Sequence, residues 1–175
     1  MIEQALGREA YGRLAPALRR FHRLSGRHEL TGWVETAAPA SAPARLLAGL
    51  LGTPRRAGQG PLRFVLEASP LEEHWTRHFP SRVMHSRLHL RGGQVVEQFG
   101  PLRLAFEVHE RQGRFEMHLK RLQMLGLRCP RWLMPAIVAH ETGDGDRLCF
   151  HVEAALPLLG VVARYQGHLV VPVAG

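Results

Sequence analysis

Three charged residues stand where strand alternation leads one to expect apolar ones. In Trp75-Thr76-Arg77-His78-Phe79, Arg77 shares a strand face with both aromatics, and that face matches Leu62, Phe64 and Leu66 of the preceding strand. With Gly92-Gly93 as a two-residue turn, Leu90 meets Val95 and Leu88 meets Glu97, so Glu97 lies on an apolar face two residues before Phe99. With Asp144-Gly145 as the turn, Ile137 meets Val152, Ala139 meets Phe150 and Glu141 meets Leu148, which turns Glu141 inward as well. A charge on an apolar face is costly unless it is paired or wet. The pattern therefore predicts an internal polar cluster in which Arg77 pairs with an acid, first of all Glu97. In a cavity, Arg77 would anchor a carboxylate or phosphate, with Trp33, Trp75, Phe79 and Tyr165 as apolar wall. Glu97 or Glu141 would serve as a base, because desolvation raises a carboxyl pKa. The same residues also fit strand ends that reach water, or an ion pair with no ligand; Glu141, close to its turn, fits that arrangement most readily. A three-residue loop at Gly92-Gly93-Gln94 would turn Glu97 outward, beside His89.

Other chemistries find less support. His74 and His78, and likewise His85 and His89, share a strand face four residues apart. That spacing is about 13 Å on a strand, too far for one ion. There is no HExxH, no Cys/His ligand box, no GxSxG, no P-loop and no GxGxxG, so no metal or cofactor is expected. Gly143-Asp144-Gly145-Asp146 lacks the length and the closing Glu of a calcium loop, and a hairpin turn accounts for it. No nucleophile stands with a base at a diagnostic spacing, so enzyme activity is left open.

The elements that would position the cluster are mainly strands. Residues 3 to 24 read as helix in two pieces, the second begun by Pro16, with Leu14, Leu18 and Phe21 on one face and Ser25-Gly26 as the stop. His28 to Glu35 reads as a strand, Ala37 to Pro43 as a loop, and Ala44 to Leu51 as an amphipathic helix burying Leu46, Leu47, Leu50 and Leu51. Arg55 to Gly60 reads as a flexible basic loop. From Leu62 onward the period is two, and turn signals recur at Gly92-Gly93, Gln112-Gly113 and Asp144-Gly145. The Gln112-Gly113 turn sets Val108 against Met117, Phe106 against Leu119, His109 against Glu116 and Glu107 against His118, apolar with apolar and acid with imidazole. Trp132-Leu133-Met134, between Pro130 and Pro135, predicts a single turn that plugs one end of the core; the alternative is a membrane-touching knob beside Arg128 and Arg131.

Several stretches also carry a resemblance. They are Tyr11-Gly12-Arg13-Leu14 with His22, Trp75-Thr76-Arg77-His78-Phe79, Glu97-Gln98-Phe99-Gly100-Pro101-Leu102, Leu125-Gly126-Leu127-Arg128-Cys129-Pro130, Leu156-Pro157-Leu158-Leu159-Gly160 and Arg164-Tyr165-Gln166-Gly167. In that order they resemble a bacterial family of unknown function, number 4166 in its series, over nearly the whole chain. That family also occurs as a tail on saccharopine-dehydrogenase-like proteins. The resemblance implies an NAD(P)-binding oxidoreductase as a possible neighbour, and supplies no catalytic residue.

The totals are compatible with one domain over residues 1–175, its helical N-terminal segment spanning residues 1–60 and its antiparallel hairpins residues 61–175. Charged residues make up 22% and hydrophobic ones 45%, which excludes a disordered chain. No apolar run is long enough to cross a bilayer, and two cysteines without a CxxC suit a reducing, cytoplasmic setting. The net charge of +8 comes almost wholly from arginine. The arginines are scattered and accompany no aromatic RNA-binding stretch, which argues against nucleic acid. The expected fold is α+β, mainly antiparallel β, as a strongly curved sheet or barrel with short N-terminal helices; a helix-grip fold and a two-sheet sandwich are the alternatives. The expected function is binding of a small amphipathic or acyl-type ligand at Arg77, Glu97, Trp75, Phe79, Glu141 and Tyr165. An isomerase- or hydrolase-type enzyme and a protein-docking domain are the other readings.

Overall fold

Alternating apolar residues force the strands to bury one face, and the chain meets this demand by closing its sheet on itself. The structure, a computed structural model, describes residues 1–172. Three short helices, α1 (Ile2–Leu6), α2 (Arg8–Arg13) and α3 (Pro16–Phe21), lead into strand β1 (Gly26–Thr36). Helix α4 (Ala42–Leu51) separates β1 from β2 (Gly58–Ala68). Then follow β3 (Glu72–Phe79), β4 (Arg82–Arg91), β5 (Gln94–Phe99), β6 (Leu102–Arg111) and β7 (Arg114–Met124). After β8 (Leu127–Arg128) and a 3-10 turn (Arg131–Leu133) come β9 (Ala136–Asp144), β10 (Arg147–Leu156) and β11 (Gly160–Val170). The ladder runs β6-β5-β4-β3-β2-β1-β11-β10-β9-β7, and pairing of β6 with β7 closes it. The result is a ten-stranded antiparallel barrel, with β8 as an extra strand on β7. Closure sets aside the sandwich and the helix-grip alternatives.

The barrel has two unlike ends. Helices α1 to α3 cover the end that holds the β6–β7 and β9–β10 turns: the Ala15 amide donates to the Gly113 carbonyl, and Arg20 donates to the Gly145 carbonyl. Their buried Ile2, Tyr11, Leu14, Leu18 and Phe21 join the interior of the barrel in one core. Helix α4 sits at the other end, packing Ala44 and Ala48 against Val162 of β11. Ser41 caps it by accepting from the Ala44 amide, and Gly52 ends it in the left-handed region.

Most registers follow the turn chemistry. Val108 faces Met117, Phe106 faces Leu119, His109 faces Glu116 and Glu107 faces His118. Leu90 faces Val95 and Leu88 faces Glu97, so the two-residue turn at Gly92-Gly93 prevails over the three-residue loop. The β9–β10 hairpin differs from its expectation. Phe150 faces Glu141 and Val152 faces Ala139, because the turn is Gly145-Asp146 between the paired Asp144 and Arg147. A slip of two residues preserves faces, so Glu141 still points inward.

Four local expectations are corrected. Gly7, at φ 82°, breaks the first helical piece, giving three helices in place of two. Strand β2 begins at Gly58, inside the expected loop, and Gly58 to Gly60 pair with Thr36 to Val34. On α4 the small residues Ala44 and Ala48 face the barrel, and Leu46 and Leu50 are exposed. Alanine lets the helix approach the strands closely, which rotates those leucines outward. Trp132 is no plug: it is 72% exposed, because Leu102, Leu104, Phe106 and Leu122 fill that core with Met134 and Ile137.

Candidate functional site

The inward face of β3 carries Glu73, Trp75, Arg77 and Phe79 as alternate residues, all buried. Arg77 is held on three sides. Its guanidinium donates to Ser86 Oγ at 2.9 Å and lies 3.4 Å from a Glu97 carboxylate oxygen. It also stacks over Trp75, 4.7 Å from the ring centroid. Trp75 in turn donates its indole N–H to Glu73 at 2.8 Å. The expected Arg77–Glu97 pair is therefore present, inside the barrel wall.

Two voids flank this pair. The larger, of about 110 Å³, is lined by Trp75, Met84, Leu88, Glu97, Phe106 and Tyr165 among others, and Thr53 behind α4 reaches it. The smaller, about 50 Å³, lies toward the α1–α3 end between Phe21, Phe64 and Leu148. Arg77, Trp75, Glu141 and Tyr165 border both. A dry cavity of about 150 Å³ takes a benzene ring, so these voids suit a small apolar body. Tyr165 packs edge-on against Phe79 at 5.3 Å. Burial raises its phenol above the usual value, while the charges of Arg77 and Glu97 pull in opposite directions, so it stays a neutral O–H donor near neutral pH.

Glu141 belongs to a second polar pair. Its carboxylate lies 2.9 Å from His22 Nε2, and the His22 side chain is fully buried between Phe21 and Phe115. His22 Nδ1 has no hydrogen-bond partner among the described residues. Glu141, on β9, thus borders both voids while paired to His22 of the helical end, and Glu97 is paired to Arg77.

Of the residues expected to form the wall, Trp75, Phe79 and Tyr165 do so. Trp33 does not. Leu30 and Val34 of β1 are the buried ones, and the odd-numbered Trp33 points outward, 43% exposed. Ser86 and Glu73 were missing from the expected set. Their signal was parity: Ser86 falls between Met84 and Leu88 on one face, and Glu73 lies two residues before Trp75.

Comparison with known proteins adds the lineage. No curated protein matches the chain in sequence. Among solved structures, Rv2717c from M. tuberculosis is similar in fold, with a TM-score of 0.51 at 12% identity, covering 91% of this chain and 99% of that one. At that identity the likeness concerns the barrel alone. The profile of one family matches residues 14–169, and the chain belongs to that family, the Domain of unknown function (DUF4166).

Proposed function

We propose that the barrel binds a small amphipathic molecule, with its apolar body in the void beside Trp75 and its polar head at Arg77 and Tyr165. The observation that carries this reading is the apolar-walled void of about 110 Å³ bordered by a buried, incompletely engaged guanidinium. Arg77 has five N–H donors, of which one is well matched to Ser86 and one is 3.4 Å from Glu97. A ligand carboxylate or phosphate would take a remaining donor. The size of the void favours a short chain or single ring over a long acyl tail. The free Cys129 and Cys149 support a cytoplasmic setting.

A ladder of straight-chain carboxylates from butanoate upward, matched with alcohols of equal length, tests this. Trp75 is the buried tryptophan and reports through its emission, while Trp33 and Trp132 are exposed. Each acid is expected to bind more tightly than its alcohol, and Arg77→Met removes that preference. Acids and alcohols that bind equally, or a ladder in which no length changes emission or melting temperature, would overturn the assignment.

The His22–Glu141 pair at the void favours one other reading, an isomerase- or hydrolase-type enzyme with Glu141 as base. Its mark would be turnover of a bound ligand that Glu141→Gln abolishes while binding persists. A docking role beside an NAD(P)-binding oxidoreductase rests on the family's occurrence as a tail.

A further inference from the structure

The acidic residues of this chain avoid one end of the barrel. All 15 Asp and Glu residues lie outside segments 37–57, 80–82, 99–103, 121–135 and 156–160. Those segments form the end that carries α4, the β7–β8 turn, the 3-10 turn and the β10–β11 turn. The same segments hold the exposed Arg45, Arg55, Arg56, Arg121, Arg128 and Arg131, none of which forms a salt bridge among the described residues. At the opposite end acidic residues stand among the arginines and pair with several of them, as in Arg13 with Glu9 and Glu110, Arg27 with Glu67 and Arg87 with Glu72.

Apolar side chains stand among these free arginines. Leu46 and Leu50 project from α4 one turn apart, Leu125 and Leu127 from the β7–β8 turn, Trp132 from the 3-10 turn and Leu158 from the β10–β11 turn. Each is at least 67% exposed, and Leu158 is 95% exposed. Along the rim these elements share contacts: Ser41, the cap of α4, donates to the Leu159 carbonyl, and Leu51 of α4 packs against the same core cluster as Cys129 and Met134. Two of the leucines hold a strained backbone, Leu125 at φ 51° and Leu158 at φ 67°. Asparagine or glycine suits that region and leucine does not. Strain at an exposed position, kept with an apolar side chain, indicates that the side chain itself is used.

We propose that this end of the barrel is a docking face for an anionic lipid surface. Unpaired arginines meet lipid phosphates and carboxylates, and the leucines and Trp132 enter the interface below them. Nucleic acid would satisfy the arginines and leave the leucines in water. Docking needs no ligand inside the barrel, so it stands or falls apart from the reading above.

Flotation of the full chain with vesicles tests it, using phosphatidylcholine alone and an equal mixture of phosphatidylcholine and phosphatidylglycerol. Co-flotation with the mixed vesicles only, reversed by high salt, is the expected result. Leu125→Asn and Leu158→Asn relieve backbone strain, so the melting temperature is kept or raised while each lowers partitioning roughly tenfold. Trp132→Glu abolishes it. Leu71→Asn, at an equally exposed leucine of the opposite end, leaves it intact. Absence of flotation with the mixed vesicles overturns the proposal. So does flotation that survives the asparagine substitutions, or displacement from vesicles by a duplex DNA oligonucleotide that binds those variants equally well.

Discussion

Arg77 shows how much one side chain can be asked to do. It is buried, stacked on Trp75 and matched to Ser86 and Glu97. Arg77→Ala leaves Glu97 facing an apolar void without a cation, which costs about 3 kcal/mol. Urea unfolding should show that loss, and adding Glu97→Gln should restore most of it. His140, His89 and His78 matter for acid stability. Burial holds each below its usual value, and the neighbouring Arg114, Arg87 and Arg63 add to the effect in turn. Such a histidine is protonated more readily in the unfolded chain. Its contribution is therefore complete above the unfolded value of about 6.5 and is lost as pH falls below it. Glu110, Glu107 and Glu72 are lowered by the Gly113 amide, Lys120 and Arg87 respectively, so their stabilisation begins to fade only below about pH 4.3. Melting temperature should thus fall in two steps on acidification, the first blunted by His140→Gln. The inward positions of Arg77, Glu97 and Glu141 were legible from alternation. The partner of Glu141 was not, because His22, just past the end of α3, is 119 residues away.

At the scale of elements, turn chemistry decided most pairings, and its limits are instructive. Gly92-Gly93 and Gln112-Gly113 fix their hairpins, whereas Gly143-Asp144-Gly145-Asp146 offers two admissible two-residue turns. Pairing of Asp144 with Arg147 accompanies the second. Helix α4 misled because four leucines outweigh two alanines on any apolar count, although closeness to β11 requires the alanines. The seam between β1 and β11 rests on glycines that no periodicity marks. A Cβ on Gly167 would lie 2.0 Å from the Trp33 carbonyl oxygen, and one on Gly32 would lie 1.8 Å from that of His168. Gly167→Ala should therefore destabilise the protein by about 3 kcal/mol or more, since backbone must move. Gly58→Ala, in the same sheet with open space around its Cβ, should be close to neutral in the same thermal melt.

For the molecule as a whole, the run of strand segments with alternating faces implies a curved sheet, and ordinary hairpins account for most of its ladder. What stayed hidden was how it closes, because the β1–β11 and β7–β9 pairings join segments that share no turn. The β1–β11 pairing has a kinetic consequence. Synthesis proceeds from the N-terminus, so β1 leaves the ribosome long before its second neighbour exists. Until β11 follows, β1 and β10 each present a row of unpaired backbone groups, the condition in which strands join the wrong chain. Folding must then await a contact between residues as far apart as Gly32 and Leu169, and a pairing of that span is slow to form. A chain halted before Gly160 should accumulate as an aggregating intermediate. Supplying residues 160–171 as a free peptide should rescue its solubility by adding the missing stave.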